Sequence, residues 1–150
     1  MNPITVVILG AGNRGSRYAE IMAAFPENYK IVAVADPAKA HRDYVQKLHN
    51  IPDEQLYTDW RQILDQPKMA DVCVVATVDN MHYEPALKAI ELGYDLLLEK
   101  PVAMRAEDCA AIANAAKEKG VKVLVCHVLR YTNFFGTLKE IRVLAPLTRR

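Results

Sequence analysis

The sequence predicts an α/β fold: a parallel sheet of six strands, doubly wound in the order 3-2-1-4-5-6, with helices on both faces. Three observations predict it. Short apolar runs rich in β-branched residues alternate with longer amphipathic stretches along the chain. The connections are short, and right-handed crossovers then leave few arrangements besides the doubly wound one. The run Val72–Ala76 is apolar at every position, as in a strand buried on both faces of a parallel sheet.

The first strand is Ile4–Leu9, too short for a helix. A helix follows over Asn13–Ala24, with Tyr18, Ile21, Met22 and Phe25 expected on its inner face and Pro26 ending it. Ile31–Ala35 is the second strand. Asp36 is expected to cap the next helix with Pro37 at its first position, and Ile51-Pro52 stops that helix. Leu56-Tyr57 is a weak third strand, after which Asp59 caps a short helix over Trp60–Asp65. The fourth strand, Val72–Ala76, leads to a helix over His82–Leu92 that closes on Gly93. The fifth strand, Asp95–Glu99, precedes a helix over Ala106–Lys119 that closes on Gly120. Val121–Leu129 is expected as the sixth strand, before a helix from about Phe134 to Val143. On this reading the nucleotide-binding unit occupies residues 1–131, and residues 132–150 form a C-terminal helix and tail.

Composition narrows the function. A formal net charge of +1 gives no electrostatic case for nucleic acid, whose binding modules carry a marked basic excess. No apolar run reaches the roughly 20 residues of a membrane helix, and the opening Met1-Asn2-Pro3 runs straight into a strand without a signal peptide. Cys73, Cys109 and Cys126 are odd in number, far apart and without metal-ligand spacing, so the expectation is reduced thiols in a cytoplasmic protein and no metal site.

The chemistry concentrates after the first strand. Gly10-Ala11-Gly12-Asn13-Arg14-Gly15 joins a strand to a helix, the context in which such a loop holds a pyrophosphate. Gly10 permits the tight turn, Gly12 leaves room for the phosphates, and Gly15 lets the helix approach the strand. The free N–H groups and the positive end of the helix dipole, opening at Asn13, favour the phosphate charge. Asp36 stands 21 residues beyond Gly15, at the end of the second strand. A carboxylate there accepts hydrogen bonds from both adenosine ribose hydroxyls and repels the 2′-phosphate of NADP, so NAD is the expected cofactor and NADP the less favoured one. Arg14 is the residue that keeps NADP open. Glu99-Lys100-Pro101 ends the fifth strand on the edge where open parallel sheets bind ligands, and Pro101 restricts Lys100 to extended backbone. An ammonium there can bind a substrate hydroxyl and stabilise the alkoxide that develops as hydride departs.

These stretches resemble the glucose–fructose oxidoreductase, inositol dehydrogenase and rhizopine-catabolism (Gfo/Idh/MocA) family. The similarity lies in Val7–Gly15, in Val74-Val75-Ala76-Thr77 with Asn80 and His82, in Glu99-Lys100-Pro101 and in His127–Tyr131. It implies a Rossmann domain of a nicotinamide-dependent oxidoreductase acting on a sugar or cyclitol. It also implies Lys100 as the catalytic residue, with Thr77, Asn80, His82, Glu99 and Arg130 joining Gly10, Gly12, Asn13, Arg14, Gly15 and Asp36 around the cofactor. His127 and Arg130 are expected to end the sixth strand beside Lys100. Val78 departs from the proline frequent in the family, which alters the shape of that loop. Two other functions share part of the pattern. A non-enzymatic NAD-binding module needs only the glycine loop and Asp36, whereas a methyltransferase using S-adenosylmethionine does not account for Glu-Lys-Pro.

Relatives in this family continue into a second α/β domain that walls the substrate pocket. With the sequence reaching only Arg150, that domain is expected to be missing, through a natural truncation, a frameshifted tail or an excised piece. The segment Tyr131–Leu147 carries Phe134, Phe135, Leu138, Ile141, Val143, Leu144 and Leu147. With no domain to cover it, it is expected to join two copies of the chain in a homodimer.

Overall fold

The computed structural model describes residues 2–144. Six parallel strands form one sheet: β1 (Ile4–Leu9), β2 (Tyr29–Ala35), β3 (Leu56–Tyr57), β4 (Val72–Val75), β5 (Asp95–Leu98) and β6 (Val123–Val125), in the order β3-β2-β1-β4-β5-β6. The helices are α1 (Asn13–Ala23), α2 (Lys39–His49), α3 (Arg61–Leu64), α4 (Tyr83–Glu91), α5 (Ala106–Lys119) and α6 (Asn133–Leu144).

The central strands are apolar throughout because both of their faces are covered. Val6, Ile8, Ile31, Val34 and Val74 pack with Ala19 and Met22 of α1 and Val45 of α2. Val7, Leu9, Cys73 and Val75 face the other layer, built from Ile63 and Leu64 of α3, Ala86, Ala89 and Ile90 of α4, and Ile112 of α5. Removing this apolar surface from water is the main force holding the layers together. Gly93 and Gly120 close α4 and α5 with positive φ, where glycine carries no Cβ penalty.

Several expectations are corrected. The buried face of α1 is Gly15, Ala19 and Met22, while Ile21 and Phe25 are exposed. Gly15 and Ala19 face inward beside Met22 because the helix must pack close to β1 at its start. Pro37 does not open α2. That helix starts at Lys39, and Asp36 reaches its N-terminal side by accepting the Ala38 N–H at 2.8 Å. β6 is much shorter than the apolar run suggested. It pairs with β5 only over Val123–Val125, and the chain then turns into a 3-10 segment over Val128–Tyr131. As an edge strand β6 has one neighbour, and Leu98, its last partner, ends the ladder. The smaller differences, such as α4 starting at Tyr83 and α3 at Arg61, are shifts of about one residue at helix ends. No helix among the described residues is long and apolar enough to cross a membrane.

Candidate functional site: a cavity at the carboxyl edge of the sheet

A cavity of about 550 Å³ opens where β1, β2 and β4 end. Gly10, Gly12, Asn13 and Arg14 line it from the first turn, Asp36 and His41 from the second, and Thr77, Val78, Asp79 and Met81 from the turn after β4. It lies beside the point where strand order reverses direction, between β1 and β4, and its size is that of a cofactor pocket.

The three glycines of the loop do different work. Gly10 has φ +87°, and a Cβ there would sit 2.4 Å from the Ala76 carbonyl oxygen. At Gly15 a Cβ would meet the Gly10 carbonyl oxygen at 1.9 Å, so α1 can approach β1 only without a side chain. Gly12 has no such conflict: the nearest atom to an added Cβ is His41 Cε1, at 4.0 Å. Gly12 therefore borders empty space, which a side chain would fill and a pyrophosphate can enter. Beyond it, the first-turn N–H groups of α1 have no partner within the helix. The residues present fit a dinucleotide phosphate.

Asp36 is buried, yet its carboxylate is already well used. Oδ2 accepts the Ala11 N–H at 2.7 Å, and Oδ1 accepts the Ala38 N–H at 2.8 Å and lies 3.0 Å from His41 Nδ1. The acid thus ties the glycine loop to the turn after β2. Arg14 does not approach it. Its Nε donates to Glu99 Oε1 at 2.8 Å, its Nη2 donates to the Tyr18 hydroxyl at 3.2 Å, and its guanidinium lies over the Tyr18 ring. These bonds hold the Arg14 guanidinium above its ordinary pKa.

Glu99 itself is buried and accepts from Arg14, from the Tyr18 hydroxyl and, at 3.0 Å, from the Lys100 N–H. Burial pushes its carboxyl up, but the three donors outweigh burial and hold it below the usual carboxylate range. Burial likewise pushes the Tyr18 hydroxyl well above its ordinary value, helped by Cys126 and Glu99. Glu99 is thus occupied by the protein, joining α1 to the turn after β5, and it does not line the cavity.

His82 is neither at the solvent-facing start of a helix nor on the cavity wall. It is buried, with Nδ1 2.6 Å from the Pro101 carbonyl oxygen and Nε2 3.0 Å from that of Thr77. A ring N–H donates to one of these carbonyls, or to both in the imidazolium. Asn80 is exposed on the 3-10 turn Asp79–Met81, outside the cavity lining. Lys100 is exposed at the end of β5 and makes no ion pair among the described residues; its bond to Pro101 is cis. His127 and Arg130 do not end β6. His127 precedes the 3-10 segment and Arg130 lies within it, where it borders a separate shallow groove with Phe135 and Lys139.

The structure also brings forward residues that the sequence reading passed over. His41 is one turn into α2, five residues past Asp36, and folds back onto it. Thr58, Asp59 and Trp60 form the wall after β3, with the Arg61 guanidinium 4.3 Å from the Trp60 ring centre. The Trp60 indole N–H is buried and unpartnered among the described residues. A cavity position five residues beyond the acid that follows β2 is a usable signal; the loop after β3 offers none without coordinates.

The sequence profile of an oxidoreductase family with an NAD-binding Rossmann fold, GFO_IDH_MocA, matches residues 4–127. The chain belongs to this family. Among its relatives, scyllo-inositol 2-dehydrogenase (NADP(+)) of Bacillus subtilis is 29% identical over 94% of this chain and 38% of its own length. The 2,7-anhydro-N-acetylneuraminate hydratase of Mediterraneibacter gnavus is 32% identical over 96% of this chain and 36% of its own length. Myo-inositol 2-dehydrogenase from Lactobacillus plantarum shares the fold, with a TM-score of 0.82 at 19% identity, covering 98% of this chain and 43% of that one. The chain therefore spans less than half the length of each of these proteins.

Proposed function

We propose that the chain is the cofactor-binding unit of a nicotinamide-dependent oxidoreductase that acts on a secondary alcohol of a sugar or cyclitol, and that it takes NAD in preference to NADP. The observation that carries this is Gly12 facing an open cavity beside a buried Asp36 that is locked to the same loop. Asn13, Arg14 and Gly15 at the start of α1 hold the pyrophosphate, and Asp36 holds the adenosine ribose. Thr77, two residues beyond β4, faces the other end of the cofactor, and Asn80 follows in the same turn. The nicotinamide supplies or accepts the hydride. Lys100 donates a hydrogen bond to the reacting oxygen of the substrate and stabilises its developing negative charge. Glu99 fixes the turn that carries Lys100, and His82 braces that turn from behind. Arg130 belongs to the substrate side.

The names of the relatives support the substrate class: two carry inositol in their names and one an anhydro sugar acid. Cys73 and Cys126 are buried and Cys109 half-buried, all unpaired, which supports a reducing, cytoplasmic setting.

Fluorescence titration tests the reading directly. NADH is expected to bind the chain more tightly than NADPH, and Asp36→Ala to narrow the gap. Equal affinity for both cofactors in the wild-type chain overturns the NAD assignment. Turnover with inositols and sugars separates an enzyme from a binding module, since a module binds NADH and oxidises nothing.

A further inference from the structure

Asp36 cannot serve the whole ribose diol. An ionised carboxylate offers about four lone-pair sites. Ala11 N–H, Ala38 N–H and His41 Nδ1 already occupy three of them. One site remains for the two hydroxyls of an adenosine ribose. The second hydroxyl needs another acceptor, and the cavity provides one. His41 lines it, and its Cε1 edge points across it towards Gly12. Nε2 is bonded to Cε1 and borders the same space, with no partner among the described residues. In the neutral ring the proton on Nδ1 faces the carboxylate oxygen, and Nε2 is then a lone-pair acceptor.

We propose that His41 Nε2 accepts the adenosine 2′-hydroxyl while Asp36 accepts the 3′-hydroxyl, so that His41 is a specificity-determining residue for NAD over NADP. The assignment of hydroxyls follows from ribose geometry. C3′ lies nearer than C2′ to the phosphate-bearing C5′, and the Asp36 oxygen on the phosphate side is Oδ2, bonded to Ala11 of the glycine loop. His41 stands on the Oδ1 side, away from the loop. An acceptor lone pair suits a hydroxyl and opposes a phosphate. The neighbouring cations offer no compensation. Arg42 donates to the carbonyl oxygens of Asp36 and Pro37 at 2.6 and 3.1 Å, Lys39 pairs with Asp43, and Arg14 pairs with Glu99.

The inference rests on the cofactor reading above, and the test separates the two. NADH, its 2′-deoxyadenosine analogue and NADPH are titrated against the wild-type chain and His41→Phe, with thermal unfolding as a check on folding. His41 is half exposed on α2, so the variant retains the fold. His41→Phe is expected to weaken NADH binding about 5- to 10-fold, the effect of one lost hydrogen bond. The 2′-deoxy analogue is expected to bind both proteins equally, and the preference for NADH over NADPH to shrink. A general disturbance of Asp36 would instead weaken NADH and the analogue alike, which overturns the proposal. So does NADH binding that His41→Phe leaves intact. Failure of the wild-type chain to bind NADH overturns the cofactor reading, and this inference with it.

Discussion

The β1–α1 turn and the β6–α6 segment leave the sheet at the same edge, and they are built in opposite ways. In the first, the loop is fastened to the protein on both sides of one open position. Gly10 donates to the Ala35 carbonyl, Ala11 to Asp36, and Gly15 packs on the Gly10 carbonyl, leaving Gly12 as the open position. In the second, the chain leaves its last strand after three residues, and Tyr131, Phe134, Phe135, Leu138 and Ile141 are exposed. The glycine-loop end of the edge is therefore braced by its own residues. The β6 end presents an apolar surface that the described residues do not cover.

The sharpest way to break the comparison is at the glycines. Gly15→Ala places a Cβ against backbone at 1.9 Å and is expected to cost about 4 kcal/mol or more, enough to leave little folded protein. Gly12→Val is expected to leave the unfolding midpoint nearly unchanged and to abolish NADH binding. Circular dichroism with urea titration reads the first effect, and fluorescence titration the second. A Gly12→Val chain that binds NADH normally would remove the phosphates from this loop.

Next in size is the buried acid that joins α1 to the turn after β5. Glu99→Gln leaves Arg14 without its carboxylate and is expected to cost about 2 kcal/mol at pH 7. The Glu99 carboxyl is held below its ordinary range in the folded chain. Its stabilisation is therefore fully present above the ordinary carboxylate pKa of about 4.3, and is lost as pH falls through the lower folded value. The difference between wild type and Glu99→Gln is thus expected to shrink below about pH 4. A difference that stays constant from pH 7 to pH 3 would show that the charge on Glu99 contributes nothing.

The smallest effect on the fold is expected at α6. The exposed faces of Phe134, Phe135, Leu138 and Ile141 are the surface through which we propose that two copies associate; the remaining residues of the expected patch, Val143, Leu144 and Leu147, lie outside the described side chains. Phe135→Asp is expected to shift sedimentation from dimer to monomer at micromolar concentration with little change in stability. A wild-type chain that sediments as a 16.8 kDa monomer ends the idea.

The fold was legible because parallel strands buried on both faces are written as unbroken apolar runs, and Val6–Leu9 and Val72–Val75 are such runs. The glycine loop and Asp36 were legible because their spacing is dictated by a ligand-sized turn. β6 was misjudged because Val128 and Leu129 continue the apolar run after the ladder has ended. Hydrophobicity says nothing about where a neighbouring strand stops. The bonds that hold Arg14 and His82 were not legible for another reason. Their partners, Glu99 and two backbone carbonyls, are distant in sequence for Arg14 and chemically anonymous for His82. His41 went unnoticed because its role depends on Asp36 being already bonded to Ala11 and Ala38, which no residue pattern records.

The ring of His82 fastens Thr77, just beyond β4, to Pro101, just beyond β5. Val78, Asp79, Asn80 and Met81 hang outside that fastening with exposed side chains. The tip can accordingly be lengthened, shortened or exchanged without carrying Lys100 along, because the anchor sits behind the variable stretch rather than within it. The lining of the cavity and the position of the lysine can then drift independently. A scaffold wired in this way lets one wall of the cavity be remodelled while the turn after β5 stays in register.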